Sequence, residues 1–148
     1  MAKQIVHIAI ILVVIVSGVY LGIHNNNIKA ECEALYEKSH LTEENLKFET
    51  SFSATATDEL DDKEGIRVKY KKLYGIAYID TFKLEKEDGI EVRFLSGNPA
   101  KILILDGEGN ERFYKEVSEV NFEPGKAGKY DVYLVGNKFT GKIEFSTY

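Results

Sequence analysis

The stretch that most constrains this chain is Ile5–Ile23, IVHIAIILVVIVSGVYLGI, which holds no Asp, Glu, Lys or Arg. Thirteen of its nineteen residues are Ile, Val or Leu. As a helix rising about 1.5 Å per residue it reaches roughly 28 Å, close to the ~30 Å hydrocarbon thickness of a bilayer. Thirteen aliphatic side chains at about −0.3 to −0.6 kcal/mol each contribute roughly −4 to −8 kcal/mol to insertion. His7, Ser17, Tyr20 and the glycines reduce that sum without reversing it. Residues 1–24 are therefore read as a membrane anchor. A cleaved export signal is the alternative. Against it, the run is longer than the usual core of about 7–15 residues, and Ile28 stands where a cut after Ala30 needs a small side chain. Lipidation at Cys32 is disfavoured by Glu31, which occupies the position a lipobox gives to Gly or Ala.

Charge divides at the same place. Lys3 is the one basic residue before the run; eighteen basic and twenty-four acidic residues come after it, a balance of −6. A domain this acidic argues against nucleic acid, or an anionic membrane surface, as a partner bound through bulk charge. The first turn after the run carries no basic residue and the domain beyond is acidic. The expected location is the cell membrane, single-pass, with the C-terminal domain extracytoplasmic. A lone cysteine, Cys32, leaves an exported domain to hold together by burial alone.

Past the anchor the hydrophobic period changes twice. Ile28, Cys32, Leu35 and Tyr36 stand at i, i+4, i+7, i+8, which predicts an amphipathic helix over 28–39 packing lightly on a β domain. Residues 25–45 thus read as a helical stalk, with Leu41-Thr42-Glu43-Glu44-Asn45 able to cap a further short helix. From Leu46 the period is two: Leu46, Phe48, Thr50, Phe52, Ala54 and Ala56 predict one half-buried strand. Asp58–Gly65 reads as a turn, and Ile66, Val68 and Tyr70 resume the alternation. One or two strands come next in Tyr74–Leu84, with a bulge at Gly75. Ile90, Val92 and Phe94 line another, and the continuous run KILIL, Lys101–Leu105, predicts a central strand. Asp106–Asn110 reads as a hairpin loop, Pro124-Gly125 as a turn, and Gly136-Asn137-Lys138 as the start of a last hairpin closed by Gly141–Phe145. Seven to nine short strands with turns every 8–12 residues leave no room for crossover helices. The fold class is all-β: an antiparallel β-sandwich over 46–148, immunoglobulin-like or jelly-roll-like.

The residues that carry chemistry are few. His7, His24 and His40 all precede the strands, so a Ser-His-Asp triad or multi-histidine zinc site has no material in the sandwich. No enzyme activity and no cofactor are expected. Asp106, Glu108 and Asn110 have the spacing of a calcium loop, but Val117 stands where the bidentate Glu belongs. A tight hairpin explains the same three residues. The acidic run Asp58, Glu59, Asp61, Asp62 and Glu64 reads as a solvated turn. Tyr70, Tyr74 and Tyr78 fall on one strand face if the register survives Gly75, and such a stripe binds a glycan or a protein partner when exposed.

The stretch GKYDVYLVGNKFTGKIEFSTY, residues 128–148, has the form G-x-Y-x-V-x-x-x-G-x-x-x-x-G-x-I-x-F. With KILILDGEGNERFYKE before it, it resembles the hairpins of small exported β-sandwich proteins of low-GC Gram-positive bacteria, with a GOLD-like closing hairpin. The resemblance spans about 90–148, implies an exported sandwich, and implies no catalytic residue. The whole architecture also resembles type IV and archaeal pilins, without their processing site. The sequence thus points to a binding or structural module tethered through 5–23, with a protein partner or self-association. The alternative is a pilin-like filament subunit, and a surface hydrolase lies far behind.

Overall fold

A computed structural model describes residues 24, 26–48, 50–60 and 65–148. The membrane-length run Ile5–Ile23 lies outside the described residues. Helix α1 (26–36) leads into a short 3-10 helix at Glu43–Lys47. Seven strands come after it: β1 Ala54–Glu59, β2 Gly65–Leu84, β3 Ile90–Gly97, β4 Lys101–Asp106, β5 Glu111–Glu116, β6 Glu119–Phe122 and β7 Gly128–Thr147. All pairings are antiparallel.

Two strands of twenty residues, β2 and β7, organise the rest. They pair along their whole length, from Gly65↔Ser146 to Leu84↔Gly128. On its other side β7 meets β3 with its second half and β4 with its first. The sheet folds back on itself where β3 gives way to β4. The first layer is β1, β2 (65–71), β7 (141–147), β3 and β6; the second is β2 (73–84), β7 (128–137), β4 and β5. Strands that switch layers through bulges are a known way to turn such a corner. Phe122 of β6 lies edge-on to Tyr130 and to Phe113 of β5 at ring distances of 5.8 and 6.3 Å, so the layers face each other.

The corner arises from local backbone chemistry. The register shifts by one residue between Tyr70 and Leu73 and back between Leu73 and Tyr74. Lys72 (φ 56) and Lys138 (φ 61) take the left-handed conformation there. One extra residue reverses the phase of alternation without changing which face is inside. Val68 and Tyr70 point inward before the corner and Leu73 and Ala77 after it; on β7 Tyr130, Val132 and Leu134 hand over to Phe139, Ile143 and Phe145. Gly136-Asn137-Lys138, expected to open a hairpin, is this corner, and β7 runs through it unbroken. Likewise 65–84 is a single strand rather than the two or three expected. Asn98 ties the corner to the β3–β4 turn: its side-chain oxygen accepts the Thr140 N–H at 2.7 Å, and its own N–H donates to Thr140 O at 3.3 Å.

A second core covers the outer face of the second layer. Leu35, Tyr36 and Leu41 pack there on Ile76, Leu103, Leu105, Tyr114 and Val135. This explains the unbroken KILIL run: Ile102 and Ile104 serve the inner core, and Leu103 and Leu105 the outer. The four apolar positions read from the helical period are all buried, Cys32 completely. The Cys32 thiol donates to Gly136 O at 3.0 Å, and burial pushes it above its ordinary pKa. Helix α1 is thus bonded into the corner and is more than a lightly packed stalk. Lys101 closes its C-terminal end by donating to the carbonyls of Tyr36 and Lys38, with its ammonium 4.8 and 4.9 Å from the Tyr36 and Tyr114 ring centres. A cation at that end also answers the helix dipole.

The expected strand from Leu46 to Ala56 is not one strand. Asn45 accepts the Thr42 N–H at 3.0 Å and starts the 3-10 helix, and Leu46 and Phe48 pack against the second core. Gly75 (φ 105) makes room for Phe48, whose ring carbons lie 2.9 Å from where a Cβ would stand. Ser51 makes an isolated bridge to Tyr74, and the pairing becomes continuous only over Ala54–Glu59, as an edge strand. The other long free edge, β2 beyond Ile76, is blunted by a bulge between Tyr78 and Asp80 and by the Asp80 carboxylate on the Thr81 N–H at 2.8 Å.

On the outer face of the first layer Glu144 joins three strands. It accepts from Arg67 of β2 and from Arg93 of β3 at 2.8 Å, and the Arg67 bonds first, then Arg93, hold its carboxyl below the usual range. A depressed folded pKa contributes stability that is present above the unfolded value, about 4.3, and is lost as pH falls through the folded one. The arginines are 34% and 48% exposed, so solvent screens the pair and Glu144→Gln should cost about 1–2 kcal/mol in urea unfolding at neutral pH. The same variant should lose less stability than the parent below about pH 4.5. Gly97→Ala at the corner should cost at least about 2 kcal/mol. Gly97 sits at φ 123, and an added Cβ would lie 2.4 Å from Thr140 O.

Candidate functional site

Helix α1 covers the outer second-layer face at the corner, and the 41–48 segment covers it along β4 and β5, where Leu105 is buried and the Leu41 N–H donates to Glu111 at 2.7 Å. The open half, on the β2 side, carries two cross-strand pairs, Tyr78↔Tyr133 and Thr81↔Asp131, with Tyr133 also packed against the second core. The tyrosine rings meet edge to face at 5.5 Å. Asp131 only accepts, so the Thr81 hydroxyl donates to it; the Thr81 oxygen then accepts from the Tyr78 hydroxyl at 2.7 Å. Tyr78 is 54% exposed, yet its edge and its hydroxyl are both held. Tyr133 is half-buried, and burial first, then the Asp131 charge, raises its pKa. An exposed ring fixed this way has already lost the side-chain freedom that binding would otherwise cost. The patch offers an aromatic face beside a carboxylate whose second oxygen has no partner among the described residues.

The three tyrosines expected on one face part company at the corner. Tyr70 points into the inner core, where burial raises its pKa, and Phe52 lies edge-on to it at 5.8 Å. Tyr74 and Tyr78 share the outer face, but Tyr74 lies at the corner under Lys29, whose ammonium is 5.8 Å from its ring centre. Tyr133 and Asp131 were visible in sequence only as the polar phase of the Tyr130–Leu134 alternation. Nothing in the sequence said that β7 would lie beside β2.

Asp106, Glu108 and Asn110 form the β4–β5 hairpin. Asp106 accepts the N–H groups of Glu108 and Asn110 at 3.0 Å each, and the Asn110 amide donates to it at 3.2 Å. The Asn110 backbone bond, above the other causes, lowers the Asp106 pKa. The Asn110 amide therefore presents N–H groups rather than oxygen toward the two carboxylates, so the loop's ligand-like residues are spent on the turn. Among the described residues no three His, Cys, Asp or Glu are grouped to hold a metal. Of the acidic run, Asp61, Asp62 and Glu64 lie outside the described residues. His40 stands exposed beside Glu111 at 2.9 Å. A cleft of about 300 Å³ opens at the corner between Phe94, Pro99, Glu116 and Val117. Its carboxylate, Glu116, already accepts the Tyr36 hydroxyl at 2.5 Å.

No family model matches this chain, and no curated protein matches its sequence. A crystal structure of PirA aligns with 70% of this chain and all of its own, at 16% identity and a TM-score of 0.41. The family 11 carbohydrate-binding module from Clostridium thermocellum, in complex with a β-1,3-1,4-mixed-linked tetrasaccharide, covers 66% of this chain and 84% of its own, at 12% identity and 0.33. A structure of accessory secretory protein 1, 2 and 3 in Streptococcus pneumoniae covers 66% and 87%, at 15% and 0.33. Likeness this distant carries nothing about ligand or activity.

The tyrosines should separate in a stability measurement. Tyr70→Ala should cost about 3–5 kcal/mol in urea unfolding, as for a buried aromatic. Tyr78→Ala should cost less than about 1 kcal/mol, because its ring is largely in water already.

Proposed function

We propose that this protein is a single-pass, membrane-anchored extracytoplasmic β-sandwich that binds a partner through the Tyr78–Tyr133 patch. The observation that carries the reading is a largely exposed aromatic side chain held at both ends beside an open carboxylate, on the half of a sheet face that the chain's own helix leaves uncovered. Anchorage rests on the apolar length of Ile5–Ile23. The patch suits a ligand with one apolar face and hydroxyl or amine donors for Asp131, and a saccharide ring has that character. The reaction chemistry of an enzyme is not part of this reading.

Fractionation of cells with N-terminal sequencing should recover the chain in the membrane fraction with its first residues intact, and protease added to intact cells should remove the sandwich. Full-length protein in lipid nanodiscs, screened on saccharide and peptide arrays, should yield a ligand whose affinity falls at least about tenfold with Tyr78→Ala or Asp131→Ala. Equal binding by both variants would remove the patch from the mechanism. Filaments forming when detergent is withdrawn would replace this reading with the pilin-like one.

A further inference from the structure

Lysines gather at the corner of the sandwich, in a domain whose overall charge is negative. On the outer face of the first layer Lys69 lies directly opposite Lys142, with uncharged Ala56 and Ser96 as their other cross-strand neighbours. Lys71 comes next on the same face opposite Ala54, and Lys72 turns the corner with its N–H on the Thr140 hydroxyl at 3.0 Å. The neighbouring row is different: Asp58, Arg67, Glu144, Arg93 and Glu119 alternate in sign across five strands. Like charges directly opposite in a sheet are destabilising. Glu144 relieves its arginines, whereas no carboxylate among the described residues pairs with Lys69, Lys71, Lys72 or Lys142.

The position of these lysines says what could relieve them. Helix α1 crosses the second layer at the corner and begins on the β2 side, where Lys29 lies over Tyr74, two residues from Lys72. The chain that precedes α1 contains the membrane-length run Ile5–Ile23, which ends next to the helical residue His24. The basic corner is therefore on the side of the domain from which the anchor leaves. We infer that Lys69, Lys71, Lys72 and Lys142 seat the sandwich on anionic lipid headgroups of the bilayer that holds its own anchor. This docking rests on the membrane-anchored reading of the chain. It orients the domain with its corner on the membrane and the β4–β5 hairpin pointing away. Bulk charge argued against such contact; a local row of unpaired cations reverses that argument.

The test is a lysine footprint. Full-length protein is reconstituted into vesicles of phosphatidylcholine with or without phosphatidylglycerol, acetylated with a membrane-impermeant amine reagent, and read residue by residue by mass spectrometry. Lys126 and Lys129, exposed at the opposite end, are internal controls. With phosphatidylglycerol, the corner lysines should label about fivefold more slowly than the controls, the factor expected per lysine near an anionic surface. High salt should abolish the difference. In a K69Q/K71Q/K142Q variant with unchanged circular dichroism, Lys72 should lose its protection. Equal labelling in both lipids while the chain still floats with the vesicles would overturn the docking and leave the anchor standing. Failure to float with either vesicle would overturn the anchor, and the docking with it. Protection by soluble polyphosphate but not by phosphatidylglycerol would assign the corner to a polyanion instead.

Discussion

The structure depends on the obligation of every buried backbone N–H and C=O to find a partner. Antiparallel pairing of β2 with β7 meets that obligation continuously through both layers, so neither strand has to stop at the corner. The local cost is two lysines in left-handed conformation and glycines where backbones nearly touch. In return one hydrogen-bonded ladder holds both layers, and the inner core needs no disulfide to close it. Everything else attaches to that ladder: β3 and β4 on one flank, β1 on the other, α1 across its back.

What could be read from sequence was what short-range pattern encodes. The KILIL strand came from a continuous apolar run, the Asp106–Asn110 hairpin from turn composition, and the buried face of α1 and the antiparallel β class from helical spacing and alternation, all of which the structure keeps. The corner was not legible, because an inserted residue looks in sequence like a turn. Gly136-Asn137-Lys138 has turn composition and sits inside a strand. The same phase reversal separates Tyr70 from Tyr78, which simple counting places together. Leu46–Ala56 misled for another reason: its alternation is genuine, but the Thr42–Asn45 cap and the room left by Gly75 draw Phe48 into the second core.

Both candidate surfaces are likewise products of pairing that the sequence does not show. Tyr78 gains Tyr133 and Asp131 only because β7 lies beside β2, and Lys69 gains Lys142 for the same reason. Helix α1 decides which part of the second layer is left open. By docking next to the corner it leaves the aromatic patch farther along the same face.

The order of β7 in the chain has a consequence of its own. It is the last strand, and it is the partner of β2, β3 and β4. Until its twenty residues are available, the strands made earlier have no central ladder to join, and their contacts are remote in sequence. A chain so arranged closes its sheet in one late step, when β7 enters with β2 on one side and β3 and β4 on the other.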